Sequence, residues 1–148
     1  MPYSLKADIQ KEISDEELIG LTDDENAGII NDARVTAAIA KADGIIDSYC
    51  GQVATVPFTD VPPVIKEHSI TIAIYFLFGR RSAVPEIRKD NYKDAIAHLK
   101  DISTGKASLP IAGEETGVDE VSASRTEEDR TFTIKKTSDG SSGSLDNY

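Results

Sequence analysis

One stretch of the chain, Pro62 to Arg81, limits what the rest of the sequence can fold into. No charged residue occurs between Ser69 and Gly79. The large apolar residues there leave no polar face, and they are Ile70, Ile72, Ile74, Tyr75, Phe76, Leu77 and Phe78. Such a segment is buried on all sides, and it is too short to span a bilayer, which takes about 20 apolar residues. We therefore expect the other segments to pack around it.

The secondary structure of this stretch is open to two interpretations. Its isoleucine and phenylalanine residues alternate as in a buried strand, whereas Pro63 suits the first turn of a helix, where its missing N–H costs nothing. Only one other segment has strong strand character, so a strand here would lack obvious partners. A helix over residues 63–79 would be about 25 Å long, which matches its neighbours. We predict the helix.

Four further helices are predicted from capping residues and apolar periodicity. Ser14 and Glu17 form a capping box before a short apolar run. Apolar residues at spacings of three and four mark two longer helices, one ended by Gly51 and the other begun by Pro85 and ended by Gly105. These helices are predicted over residues 4–10, 15–21, 33–50 and 85–104. The fold class is therefore mainly α, a small bundle of four to five helices over residues 1–109.

Residues 110–148 are predicted to form an extended C-terminal arm. They are rich in acidic residues, Ser and Gly, a composition that does not build a core. Within the arm, residues 130–136 (RTFTIKK) alternate as a short strand would, and Leu145 and Tyr148 make a small apolar terminus. Apolar islands in a polar arm indicate segments that dock on another surface, which a second copy of the chain can supply.

The charge of the chain excludes one class of function. It carries 26 Asp and Glu against 16 Lys and Arg, a net charge of −10. Sequence-specific DNA binding requires a basic patch, and the nearest approach to one is Arg80, Arg81, Arg88, Lys89 and Lys93. The single cysteine cannot form an internal disulfide, and the N-terminal residues do not form a signal peptide. We expect a soluble, cytoplasmic protein.

The acidic loop after the second predicted helix is only superficially like a calcium site. Starting from Asp23, an EF-hand loop would place oxygen ligands where this chain has Ala27 and Arg34. A capped turn is the favoured interpretation. In it, Gly28 adopts a positive φ and Asp32 caps the helix that follows.

Two other pairs of residues are candidates for a chemical role. Asp43 and Asp47 lie one helical turn apart, as acid–base carboxylates can, but on an acidic protein they are interpreted as a solvated face. His68 and His98 lack a surrounding set of ligands and are interpreted as core-edge or surface residues. We predict no catalytic residue, no metal site and no cofactor.

Several short motifs follow one another along residues 1 to about 110. They are Met1-Pro2-Tyr3, Leu18-Ile19-Gly20-Leu21-Thr22-Asp23, Ile46-Asp47-Ser48-Tyr49, Val61-Pro62-Pro63-Val64-Ile65, Tyr75-Phe76-Leu77-Phe78-Gly79-Arg80-Arg81 and Tyr92-Lys93-Asp94-Ala95-Ile96. In order and spacing they resemble the Mu-like phage and prophage family of small head-tail connector (adaptor) proteins.

This resemblance implies a structural virion protein without enzymatic activity. Its copies would form a ring of about a dozen subunits beneath the portal protein. The ring would also bind a downstream neck or tail-completion protein. DNA would pass through the ring without sequence-specific binding, and an acidic wall would keep the duplex from adhering. The protein would reside in the host cytoplasm before assembly and at the head–tail interface of the virion afterwards, without membrane contact.

Six residues are predicted to make the contacts of such a ring. Arg80 and Arg81 are the cations expected to meet carboxylates of the next copy or of the portal. Four apolar residues of the arm are expected to reach a neighbour or the portal, namely Phe132, Ile134, Leu145 and Tyr148. The alternative is a cytoplasmic acidic helical interaction or regulatory protein that does not assemble into rings.

Overall fold

Five helices make up the part of the chain described by this computed structural model, which covers residues 1–81 and 84–109. They are α1 (Lys6–Glu12), α2 (Asp15–Thr22), α3 (Asp32–Cys50), α4 (Pro63–Arg81) and α5 (Glu86–Ser103). The predicted mainly helical fold is confirmed. The predicted arm, including its strand-like segment 130–136, lies outside the described residues.

Helix α4 lies at the centre of the bundle and contacts each of the other four helices. Its fully buried side chains include Ile65, Ile72 and Ile74. Because Ile72 and Ile74 are two positions apart, they lie on opposite sides of the helix, so both sides are buried. The helix predicted for this stretch is confirmed and continues to Arg81. No helix in the described ranges is long and apolar enough to cross a membrane.

Helices α3 and α5 pack against α4 and against each other. The apolar stripe of α3, with Val35, Ile39 and Ile46 buried, is the face that its periodicity predicts. Helix α5 buries Leu99 and Ile102 in the same core. The apolar face of each long helix is thus buried in the core. The polar residues of these helices face loops, the N-terminal segment or solvent.

The loop between α2 and α3 is organised by one carboxylate. Asp23 accepts hydrogen bonds from the backbone N–H groups of Glu25 (3.1 Å), Ala27 (3.1 Å) and Gly28 (2.7 Å). These bonds, the one from Gly28 above all, lower the pKa of Asp23 below its usual value. Gly28 has a φ of 72°, as predicted. The predicted turn, with Gly28 at a positive φ, is therefore confirmed.

The cap of α3 is one residue earlier than predicted. The Asn31 side chain, not that of Asp32, accepts a hydrogen bond from the backbone N–H of Arg34 at 3.3 Å. Asn31 has an extended backbone, as a cap requires, whereas Asp32 is already helical. The Asp32 carboxylate in the first turn still has a favourable interaction with the helix dipole.

Helix α5 ends at the predicted glycine. Gly105 has a φ of 73°, and its N–H bonds to the carbonyl of Ile102 at 3.0 Å. The N–H of Lys106 bonds to the carbonyl of Asp101 at 2.9 Å. These two bonds form a Schellman motif, in which a left-handed residue satisfies the last carbonyls of a helix.

Candidate interaction surfaces

The first residues of the chain are fastened to α3 by hydrogen bonds. The backbone N–H of Tyr3 donates to Asp43 Oδ2 at 3.0 Å, and the Tyr3 hydroxyl donates to Asp47 Oδ1. That hydroxyl also accepts a hydrogen bond from the N–H of Phe58 at 3.2 Å, and the two aromatic rings pack 5.6 Å apart. Burial, reinforced by the bond to Asp47, raises the pKa of Tyr3, so its hydroxyl keeps its proton.

The Asp43 carboxylate also joins α3 to α4. Ser69 donates a hydrogen bond to Asp43 Oδ1 at 2.7 Å and lies 2.8 Å from the hydroxyl of Ser4. Because the Ser69 proton is directed at Asp43, Ser4 must donate to Ser69. Both serines are buried. Tyr3, Ser4, Asp43, Asp47 and Ser69 are called the N-terminal clasp below.

The interpretation of Asp43 and Asp47 as a solvated face is wrong. Both are half-buried and accept hydrogen bonds from groups far away in the sequence. The reason is that the N-terminal segment lies along this side of α3 and brings its own donors with it. The two carboxylates therefore hold a chain segment in place.

A groove of about 760 Å³ lies between residues 1–6 and one face of α3, and is called the α3 groove below. The α3 residues that line it recur every three or four positions, and they include Asp32, Thr36, Ala40, Asp43, Gly44 and Asp47. Met1 and Leu5 belong to the opposite wall and remain 96% and 58% exposed. The groove therefore combines uncovered apolar side chains with carboxylates along its length.

Three arginines surround one carboxylate near the end of α4. Arg80 binds Asp24 through both of its terminal nitrogens, at 2.6 and 3.0 Å. Arg34 pairs with the same carboxylate, and Arg81 Nε lies 3.4 Å from it. The hydrogen bond from Arg80 is the main reason why the pKa of Asp24 is lowered. Asp24, Arg34, Arg80 and Arg81 form the arginine cluster, in which cations outnumber the carboxylate.

Both predicted interface arginines are thus engaged within the chain. In addition to Asp24, Arg80 donates to the carbonyl of Leu21 at 3.2 Å, and Arg81 donates to that of Gly20 at 2.6 Å. Each side chain is still roughly a third exposed. Their role at a subunit interface stays a prediction. The other predicted interface residues lie outside the described part of the chain, and they are Phe132, Ile134, Leu145 and Tyr148.

A second cavity, of about 460 Å³, lies beside the arginine cluster between α3 and α4. Arg34, Lys41 and Arg80 line it together with Tyr75 and Phe76. Lys41 Nζ lies 4.0 Å from the centre of the Phe76 ring, a cation–π contact. This cationic pocket is suited to a carboxylate that carries apolar atoms beside it.

The two histidines of the chain meet between α4 and α5. His68 Nε2 and His98 Nδ1 are 2.7 Å apart, with one ring edge-on to the other. Burial, and secondarily the proximity of His98, lowers the pKa of His68 to about 4. Because both atoms are ring nitrogens, one must donate a proton to the other. Within residues 1–81 and 84–109 no three His, Cys, Asp or Glu side chains are grouped as a metal site requires.

Sequence reasoning missed the α3 groove, although a signal for it exists. Asp32, Thr36, Ala40, Asp43 and Asp47 recur at helical spacing, opposite to the residues of the cationic pocket. The pairing of His68 with His98 has no comparable signal, since it depends on how α4 and α5 align.

Comparison with known proteins assigns the chain to a phage family. The family model described as Bacteriophage Mu, Gp36 matches residues 3–128, which is most of the chain. The chain belongs to the Mu Gp36 family. This Gp36-family chain is also similar to a curated relative, the Mu-like prophage FluMu protein gp36 of Haemophilus influenzae. The two are 34% identical over 90 residues, which are 61% of this chain and 62% of the relative.

Membership in the Gp36 family confirms the coarser part of the resemblance found in the sequence. The chain is a Mu-like phage protein. The matched region spans less than two thirds of the curated relative.

Proposed function

We propose that this Gp36-family chain is a structural virion protein, the head-tail connector (adaptor) subunit of a Mu-like phage. Its copies form a ring below the portal protein, link head to tail and bind a downstream neck or tail-completion protein. Family membership supports the phage setting, and the order of motifs along residues 1 to about 110 supports the connector role.

One structural observation carries the proposal, which is that α3 presents two unlike surfaces on opposite sides. The α3 groove follows Asp32, Ala40 and Asp47, and the cationic pocket uses Arg34 and Lys41, which lie about half a turn away around the helix. Identical subunits that pack head to tail need two different faces, one to offer and one to receive. Such packing gives a closed ring when the rotation from one subunit to the next closes.

The charge of the chain suits a channel that DNA crosses. A net charge of −10 repels a duplex and prevents it from adhering to the wall. Four cations, Arg34, Lys41, Arg80 and Arg81, belong to the cationic pocket or the arginine cluster, where they can meet carboxylates of the next copy or of the portal. Such contacts set the orientation of a partner more than its affinity.

Sedimentation of the complete chain with its purified portal protein tests this function. We expect many copies of the chain to bind each portal assembly, in one fixed ratio. A chain that stays monomeric and does not bind the portal would overturn the proposal and favour the alternative, an acidic regulatory protein. Deleting residues 110–148 tests the arm separately, because unchanged ring assembly and portal binding would show that the arm makes neither contact.

A matched pair of charge reversals tests the contribution of the cationic pocket. Lys41→Glu places a carboxylate where we expect a partner carboxylate to bind, and it should weaken assembly or portal binding. Lys100→Glu makes the same change of charge at an exposed position of α5 outside the pocket. Equal effects of the two variants would mean that net charge, rather than the pocket, matters.

A further inference from the structure

We propose that the α3 groove of one subunit receives residues 130–136 of a neighbouring copy, an inference that rests on the proposed ring. The occupant is a segment of this same chain, Arg130-Thr131-Phe132-Thr133-Ile134-Lys135-Lys136. It supplies apolar side chains to the groove and cations to its carboxylates. Each subunit would thereby be linked to the next one around the ring.

The groove has room for apolar side chains. Met1 and Leu5 on one wall are mostly exposed, and Ala40 and Gly44 on the floor are exposed and small. A Cβ atom added at Gly44 would have no heavy atom within 4 Å. Exposed large apolar residues beside a floor of small ones favour burial of a partner's apolar side chain.

The charges of groove and segment are opposite. Asp43 and Asp47 lie towards one end of the groove and Asp32 at the other, where Lys6 pairs with it at 2.6 Å. The segment has three cations within seven residues and no acid. On a chain with a net charge of −10, a cationic segment is the kind of occupant that an acidic groove attracts.

Groove and segment also agree in length. Asp32 and Asp47 are about 22 Å apart along α3 at the helical rise of 1.5 Å per residue. An extended chain from Arg130 to Lys136 spans about 20 Å at roughly 3.3 Å per residue. Alternate residues of an extended chain point the same way, so Phe132 and Ile134 would face the floor while the two terminal cations reach the carboxylates at the ends.

The connection from the helical domain is long enough to reach an adjacent subunit. Twenty residues separate Leu109 from Arg130, and a chain of that length reaches at most about 70 Å when fully extended. This maximum is more than twice the length of α3 or α4, about 28 Å each. The connection is therefore long enough to span an adjacent subunit.

Cross-linking between two full-length variants tests the proposal. Ala40→Cys places a thiol on the groove floor, and Ile134→Cys places one in the segment. The native Cys50 should not react with a bismaleimide, because it is buried and burial raises the pKa of its thiol to about 11. We expect a covalent dimer when the two variants are mixed under assembly conditions, and at least about tenfold less when Ala97→Cys on α5 replaces Ala40→Cys.

Blocking the groove provides a second readout. Thr36→Arg adds bulk and positive charge to an exposed position in the groove, and we expect it to reduce the cross-link between Ala40→Cys and Ile134→Cys at least about fivefold. Ala97→Arg in the same background is the matched control, since Ala97 is exposed on α5. An unchanged yield with Thr36→Arg would overturn the proposed site.

The outcomes separate this inference from the proposed function. Rings on the portal without the cross-link would overturn the groove site and leave the connector role intact. A cross-link that forms only within one chain, in a variant carrying both cysteines, would overturn the exchange between copies. A cross-link between copies without rings would support the docking and overturn the ring.

Discussion

The N-terminal clasp and the arginine cluster perform the same task by different physical means. Each uses a carboxylate to hold segments that are distant in sequence, Asp43 for residues 3 and 69 and Asp24 for residues 34, 80 and 81. The clasp includes fully buried serines, whereas the members of the cluster are each roughly a third exposed. The comparison separates contacts that stabilise the fold from contacts that a partner can replace.

We expect the clasp and the arginine cluster to differ in their contribution to stability, because they differ in exposure to solvent. A buried donor that loses its acceptor costs about 1–3 kcal/mol, since no water replaces the bond. Exposed ion pairs contribute little, because water and salt compete with them. We therefore expect the clasp to be permanent. A carboxylate from another subunit, in contrast, can take the place of Asp24 in the arginine cluster at little cost to the fold.

The largest expected effect comes from removing the carboxylate at the centre of the clasp. Asp43→Ala leaves the buried hydroxyl of Ser69 and the N–H of Tyr3 without their acceptor. We expect the free energy of unfolding to fall by about 2–3 kcal/mol in urea denaturation. Asp94→Ala, at an exposed position of α5, is the control and should change little. Equal losses in both variants would contradict the account of the clasp.

The pair formed by His68 and His98 should make the stability of the fold depend on pH. His68 has a pKa of about 4 in the folded chain, against about 6.5 when unfolded. Between about pH 4 and 6.5 the unfolded state binds more protons than the folded state does. The contribution of His68 to the free energy of unfolding is therefore fully present above about pH 6.5 and is lost as the pH falls towards 4. Allowing for partial exposure, we expect a loss of about 1–2 kcal/mol from this group.

Urea denaturation over pH 4 to 7 measures this loss. His68→Gln removes the titrating group, so the stability of this variant should depend less on pH than that of the unmodified chain. The carboxylates titrate in both proteins, and the difference between the two profiles therefore reports on His68. Parallel profiles for the two proteins would show that His68 is not held neutral by burial.

A smaller effect is expected from the Tyr3 hydroxyl. Tyr3→Phe keeps the ring against Phe58 but loses the bonds to Asp47 and from the N–H of Phe58. We expect unfolding to become easier by about 1 kcal/mol. Tyr3→Leu also loses the aromatic contact with Phe58 and should be less stable than Tyr3→Phe. If Tyr3→Phe were as stable as the parent, the hydroxyl would not contribute to the clasp.

The smallest effect on stability is expected at the arginine cluster. Asp24→Asn removes the shared carboxylate but leaves Arg80 and Arg81 bound to the carbonyls of Leu21 and Gly20. We expect the urea midpoint to stay close to that of the parent chain and to be less sensitive to added salt. A loss as large as that of Asp43→Ala would show that the cluster is structural.

The fold was largely predictable because its signals are local. Caps and stops such as Ser14 and Gly105, and the uncharged run after Ser69, determine where helices begin, end and become buried. The clasp was not predictable, because the Tyr3 hydroxyl reaches a partner 44 positions away. Periodicity shows that Asp47 lies on a polar face, but it cannot show which segment covers that face.

The interaction surfaces were only partly predictable for the same reason. Arg80 and Arg81 stand out as adjacent cations on an acidic chain. Their shared partner Asp24, and the contribution of Arg34 and Lys41 to the cationic pocket, depend on how α3 packs against α4. Which polar residues meet is decided by helix packing, which the pattern of apolar residues constrains only coarsely.

Electron microscopy of the complete chain mixed with its purified portal protein tests the central claim most directly. The connector account predicts a closed ring of identical subunits stacked on the portal, coaxial with its channel. A portal that remains bare, with the chain free as single subunits, would contradict it.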